Sequence, residues 1–243
     1  MRAIILGAGE GKRLRPLTND IPKCMVKYQN KAILSYQICA MRELGVTDIN
    51  IVAGYKSHII QQLGFNTIIN SSYSTTNMVY SLFCAESLFD QDIIISYGDI
   101  VYGHNILKKV IEDTGEISVA ISMNWLDLWK RRMENPLEDA ETLKLDDEGY
   151  IKELGNKPRS YDEIEGQYMG LLKIEKSALK NQVIEHYSTQ EKKSKESSEF
   201  KNMFMTTFLQ DLINDGIKLS PVKIYDDWLE IDDPNDLNIN IEI

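Results

Sequence analysis

Residues 3–23 read AIILGAGEGKRLRPLTNDIPK. The opening apolar run is rich in β-branched residues and lacks the polar alternation of a half-exposed strand. It predicts a strand covered on both faces, the mark of a parallel sheet flanked by helices. Ligands of such sheets sit beyond the carboxyl ends of the strands, which is where Gly7, Gly9 and Gly11 follow. Spacing excludes two familiar phosphate loops. In GxGxxG the third glycine packs a helix, but Lys12 takes that position and Pro16 interrupts any helix. A P-loop places four residues between its glycines, then Lys and Ser or Thr; Gly7 to Gly11 leaves three, and Arg13 follows Lys12. What remains is an extended loop whose bare N–H groups can approach an anion, stiffened by Pro16 and Pro22. Arg13 offers a planar fork for phosphate oxygens and Lys23 a point charge. The bland alternative is a surface turn with solvated lysines.

Outward from this loop, strand and helix patterns alternate. Residues 32–44 carry a helical stripe that stops at Gly45, 49–55 and 67–70 read as strands, and 57–63 and 76–89 as helices. DIIISYGD (92–99) is the strongest strand, followed by a helix over 104–113 and a strand over 116–122. This spacing implies right-handed crossovers in a mostly parallel sheet. Past residue 123 the rhythm changes. Residues 141–154 predict a hairpin about DDEG, 165–175 a strand, 176–187 a helix and 200–215 another, with strands around 218–231. The charged, serine-rich 190–199 reads as a solvated loop. No repeat or linker divides the chain. The expectation is one α/β domain over 1–243, a Rossmann-like three-layer sandwich with a mostly parallel central sheet. Its NTP-binding half is 1–123, and its β-rich acceptor-binding half is 124–243.

The chain has 27 Lys and Arg against 37 Asp and Glu, a formal charge of -10. That argues against a nucleic-acid or anionic-membrane binder, although a clustered basic site can still take phosphate. Cys24, Cys39 and Cys84 follow no metal spacing and read as free thiols of a reducing cytosol. No apolar stretch approaches ~18 residues, and a cytoplasmic protein is expected. His58, His104 and His186 read as solvated surface residues.

The segment G-x-G-x-G-x-R-L-x-P-L-T-x-x-x-P-K resembles the signature loop of the nucleotidyltransferase family that joins an NTP to a phosphorylated substrate. That family includes sugar-phosphate nucleotidylyltransferases and phosphocholine cytidylyltransferases. Gly7 and Glu10 depart from its more usual residues, while Arg13, Pro22 and Lys23 are intact. The likeness continues through TNMVYSL, the aspartate after the fourth strand, and WLEIDDPNDL. It implies attack by a substrate phosphate oxygen on the α-phosphorus, with Arg13 and Lys23 as the catalytic cations and pyrophosphate leaving. Leu6, Gly7, Ala8, Gly9, Gly11, Arg13, Lys23, Thr76, Asn77 and Asp99 would then bind the nucleotide.

A productive triphosphate carries Mg²⁺, a hard cation held by one or two carboxylates. Asp99 ends a buried strand at the ligand edge. In WLEIDD (228–233) alternation puts Trp228, Glu230 and Asp232 on one face. Similarity makes Asp232 the second metal ligand, with Asp233 or Glu230 as alternatives. Thr76 and Asn77 stand at a helix start, suited to capping it or to reading a base edge.

TNMVYSL resembles the small-alcohol-phosphate and phosphonate cytidylyltransferases, which favours CTP. Residues 124–144, 163–171 and 202–210 look like the CTP:phosphoglutamine cytidylyltransferases of capsule phosphoramidate synthesis. In that reading Trp125, Trp129, Glu165 and Tyr168 lie near the acceptor and Lys157 or Arg132 near its phosphate. Trp125 and Trp129 also fit a plain core pair. The expected partners are CTP and a small phosphorylated acceptor, with no nucleic acid or membrane; a homodimer is compatible. Rival readings are a phosphocholine or 2-aminoethylphosphonate cytidylyltransferase, a hexose 1-phosphate enzyme, and a non-catalytic nucleotide sensor.

Overall fold

The structure, a computed structural model, describes residues 1–194 and 197–243. Seven strands form the central sheet: β1 (Arg2–Gly7), β2 (Asp48–Ala53), β3 (Asn66–Ile69), β4 (Ile93–Tyr97), β5 (Ile117–Ser122), β6 (Gln167–Ile174) and β7 (Ser220–Ile224). Their spatial order is β7-β5-β6-β4-β1-β2-β3. Every neighbouring pair is parallel except those made by β6, which runs antiparallel to both β4 and β5. The expected mostly parallel α/β sheet is therefore present, and its one reversed strand comes from the second half of the chain.

Period-two geometry divides the apolar runs between two cores. Ala3, Ile5, Ile51 and Ile94 face a layer that contains the helices Ile33–Glu43, His104–Glu112 and Trp125–Arg132. Ile4, Val52, Ile93 and Ile95 face the other layer, with the helices Met78–Phe83 and Met205–Asn214. Both faces of the central strands are covered, which is why AIIL shows no alternation.

Two local features aim side chains at the carboxyl edge. Ile100–Tyr102 pairs antiparallel with Trp228–Glu230, and Ile231 N donates to the Asp99 carbonyl at 3.0 Å. This small ribbon brings the WLEIDD stretch beside Asp99. In β6 the register shifts between Tyr168 and Leu172, a bulge of the kind that re-aims side chains near functional sites. Gly170 there has φ +74, and a Cβ on it would lie 2.7 Å from the Tyr97 ring.

The hairpin about DDEG forms, with Leu143–Leu145 antiparallel to Ile151–Leu154. Several expectations need correction. The helix expected over 76–89 ends at Phe83 and continues as a tight turn, Glu86–Leu88, which sets Phe89 edge-on against Phe83. Residues 200–215 are two helices, Ser198–Lys201 and Met205–Asn214. The break falls where the Lys201 carbonyl accepts from Asn77 N instead of continuing a helix. Much of 190–199 is helical, because Ile184–Ser194 extends the helix begun at Lys176; residues 195–196 lie outside the described residues. Tyr187 stacks on Phe83 and anchors that helix. His186 is buried, with Nδ1 2.6 Å from Asp215 Oδ2 and the ring against Phe208. Among the described residues no helix is long and apolar enough to cross a membrane.

Candidate active site

The glycine loop is shaped from beneath. Leu14 is completely buried and pins the turn Lys12–Leu14 to the core. Thr18 Oγ1 donates to the Gly11 carbonyl at 2.8 Å, closing the loop on itself. Gly11 has φ +62, and a Cβ there would sit 3.0 Å from Lys23 Cγ. At Gly98 a Cβ would lie 2.8 Å from the Leu6 carbonyl oxygen and 2.9 Å from Gly7 Cα. Glycine at 98 thus lets the β4 end close against β1, setting Asp99 beside the loop. Leu6, Gly7, Ala8, Gly9, Lys23, Thr76, Asn77 and Asp99 line one cavity together with Tyr73, Met78 and Tyr97. Gly11 and Arg13 line its continuation, where Lys23 and Asp99 recur and Asp232 joins them. Asn77 caps its helix by accepting from Met78 N at 2.8 Å, while Thr76 Oγ1 accepts from Asn70 Nδ2 at 3.0 Å. Cys24 is also in this wall, but burial pushes its thiol up to about 12 and removes it as a nucleophile.

Charge is concentrated where the cavities meet. Lys23 Nζ lies 2.6 Å from Asp99 Oδ2 and 2.8 Å from Asp232 Oδ1, and Arg13 lies 2.7 Å from the same Asp232 oxygen. The Arg132 side chain, 3 % exposed, reaches Asp232 and Asp236 at 3.1 Å each and Glu230 at 3.6 Å. Burial works against Lys23's charge, but Asp99 and Asp232 outweigh it and raise the pKa. Burial likewise opposes ionisation of Asp232, and Lys23, Arg13 and Arg132 reverse the effect, so its carboxyl is held low. Glu230 goes the other way: burial and the neighbouring Asp232 and Asp99 push it up to about 8.

Asp99, Glu230 and Asp232 offer carboxylate oxygens that all lie within 4.8 Å of one another. Asp99 Oδ1 is buried without a hydrogen-bond partner. An all-oxygen set with an orphaned lone pair fits a hard divalent cation. Of the alternatives left open by the sequence, Glu230 is in this set, whereas Asp233 Oδ1 accepts from Asn235 N at 2.7 Å. The turn is held by Asp236, 1 % exposed, whose Oδ2 accepts from Asp232 N at 2.7 Å and Asp233 N at 2.9 Å.

A second cavity adjoins the first through Met78 and Tyr97. Of the sequence-based acceptor residues, Trp129 and Tyr168 line it. Trp125 packs behind, edge-on to Trp129 with centroids 6.0 Å apart. Arg132 stands over the Trp129 ring at 5.2 Å but is engaged by carboxylates. Lys157 and Glu165 are exposed and outside this lining: Lys157 donates to the Glu138 carbonyl at 2.5 Å, and Glu165 accepts from Leu145 N at 3.1 Å. The same wall holds Asp139, Glu141, Gln167, Phe204, Thr206, Trp228 and Glu230. No local pattern marks Asp139, Glu141 or Thr206, because the cavity assembles them from separate elements. Asp236 had a signal: an aspartate in a DDPND turn is suited to accepting backbone N–H bonds.

A family model described as nucleotidyl transferase matches residues 2–237. The chain is 44 % identical over 254 aligned positions to the CTP:phosphoglutamine cytidylyltransferase of Campylobacter jejuni subsp. jejuni serotype O:2, with all of both chains covered. It is 33 % identical to the choline-phosphate cytidylyltransferase of Streptococcus pneumoniae over 47 % of this chain and 52 % of that one. The fold matches the inositol-1-phosphate CTP transferase of T. maritima with a TM-score of 0.73 at 22 % identity, covering 98 % of this chain and 91 % of the other.

Proposed function

Because the chain belongs to the nucleotidyl transferase family, we propose that it transfers CMP from CTP to L-glutamine phosphate and releases pyrophosphate. One observation carries the reading: the Lys23–Asp99–Asp232 cluster stands between a glycine-loop cavity and a second cavity of mixed aromatic and acidic character. The full-length likeness to a phosphoglutamine enzyme supports the choice of both substrates.

In the reaction a phosphate oxygen of the acceptor forms a bond to the α-phosphorus of CTP. The bond from that phosphorus to the oxygen bridging to the β-phosphate breaks, and pyrophosphate leaves with the electron pair. An ionised phosphate needs no general base, so the chain's task is alignment and charge neutralisation. Arg13 and Lys23 supply positive charge to the triphosphate from the loop side. The backbone of residues 7–11 lines the approach, and Thr76 and Asn77 stand at the base end. Asp99 and Asp232, with Glu230 in reach, would hold Mg²⁺, which supplies neutralisation of charge developing on the phosphate oxygens. We assign the reaction to the cytoplasm, as a step in capsule phosphoramidate synthesis.

Phosphocholine is the second reading, and one feature favours it: the Trp129, Tyr168, Trp228 and Phe204 wall suits an organic cation. Pyrophosphate release measured for four NTPs against L-glutamine phosphate, phosphocholine, 2-aminoethylphosphonate and a hexose 1-phosphate separates them. CTP with L-glutamine phosphate is expected to give the highest kcat/KM. A preference for another NTP, or for a hexose phosphate, would overturn the assignment.

A further inference from the structure

Asp139 and Glu141 stand in the wall of the second cavity. Trp129 Nε1 donates to Asp139 Oδ2 at 3.0 Å, and Thr206 Oγ1 donates to Glu141 Oε1 at 3.4 Å. Neither carboxylate is paired with a lysine or arginine among the described residues. Burial, with the charge of Asp139 nearby, pushes the Glu141 carboxyl above its ordinary range. This wall thus contrasts with the junction, where each carboxylate meets a cation.

An independent feature lies in the same wall. Trp228 is 3 % exposed and its indole N–H is buried without a partner. Buried donors are ordinarily satisfied, and one left bare is an opening for a ligand acceptor. Two carboxylates without a cation, Glu141 half-buried and Asp139 exposed, and one bare N–H donor are the complement of a primary ammonium beside a carboxylate. A quaternary ammonium offers neither a hydrogen to the carboxylates nor an acceptor to the indole.

Resting on the cytidylyltransferase reading above, we infer that Asp139 and Glu141 grip the α-ammonium of an amino-acid acceptor while the Trp228 N–H faces its carboxylate. These residues therefore set acceptor class, selecting a phosphorylated amino acid over a phosphorylated choline.

The test is steady-state pyrophosphate release with CTP, using L-glutamine phosphate and its analogue with hydrogen in place of the α-amino group. The enzymes are the wild type, Glu141→Gln and Asp139→Asn. Wild type is expected to show a KM about 10- to 100-fold higher for the deaminated acceptor, the factor corresponding to a lost charged hydrogen bond. Each variant is expected to raise KM for the amino acceptor by about 10-fold, with KM for the deaminated acceptor and calorimetric CTP affinity unchanged. A merely structural role would move both acceptors together, and that result overturns the inference. So does wild-type indifference to the amine. Absence of wild-type turnover with L-glutamine phosphate would overturn the function reading and this inference together; turnover that ignores the amine overturns this inference alone.

Discussion

Residues 1–123 and residues 124–243 supply the same cleft in different ways. The first builds its share from the glycine loop, the 73–78 segment and one strand end, with a left-handed turn at Gly11 and a close backbone approach at Gly98 that glycine permits. The second draws Trp129, Glu141, Tyr168, Thr206 and Trp228 from a helix, a loop, a bulged strand, another helix and a short ribbon. Triphosphate handling asks for fixed charges and bare amides, which a short segment can encode. Acceptor recognition asks for a shaped pocket, and a scaffold provides that by gathering distant side chains. The halves are joined at Lys23, which belongs to the first and pairs with Asp232 of the second.

The comparison can be broken by substitution. Asp99→Asn keeps the shape of the strand end and removes one carboxylate charge; turnover is expected to fall by about 10³-fold with the fold retained in circular dichroism. Near wild-type pyrophosphate release would detach the strand end from the chemistry.

Next in size is a pH effect at the junction. Glu230, its side chain 26 % exposed, holds its proton to about 8 against an ordinary 4.5. The folded state then binds more protons than the unfolded state between those values, so stability falls as pH rises from 4.5 towards 8. Glu230→Gln should flatten that slope, worth about 2–4 kcal/mol after allowance for solvent screening. Thermal unfolding at four pH values without divalent cations measures it, and parallel curves for variant and wild type would refute the assignment.

Gly98→Ala tests the backbone half of the comparison. The added methyl meets backbone atoms that cannot rotate away, and a loss of about 1–3 kcal/mol in urea unfolding is expected, the usual cost of overpacking. Unchanged stability would show that β4 and β1 tolerate separation. The smallest effect falls on the second cavity, proposed above to take the acceptor. Trp129→Phe keeps the aromatic wall but removes the N–H bond to Asp139; KM for the acceptor should rise about 3- to 10-fold with CTP affinity unchanged. Equal losses for both substrates would mean that the tryptophan serves packing alone.

This contrast also governs what the sequence reveals. AIIL, the glycine loop and the strand ending at Asp99 are legible because their physics is local: continuous burial, bare backbone, and charge at a strand end. The DDEG hairpin is legible for the same reason. Asp139, Glu141 and Trp228 acquire their relation through Trp129, Gln167 and Thr206 and the ribbon beside Asp99, and no spacing along the chain encodes it. His186 looks like a solvated histidine until Asp215, 29 residues on, comes to meet its ring. The split after Lys201 is hidden likewise, since it depends on a backbone bond from Asn77.

Anomalous diffraction from crystals soaked with Mn²⁺ and a non-hydrolysable CTP analogue tests the central claim most directly. The account predicts a single strong peak bounded by Asp99 and Asp232, with the α-phosphate between Lys23 and the Trp129–Tyr168 cavity. A peak remote from those carboxylates, or a triphosphate that bypasses Lys23 and Arg13, would contradict it.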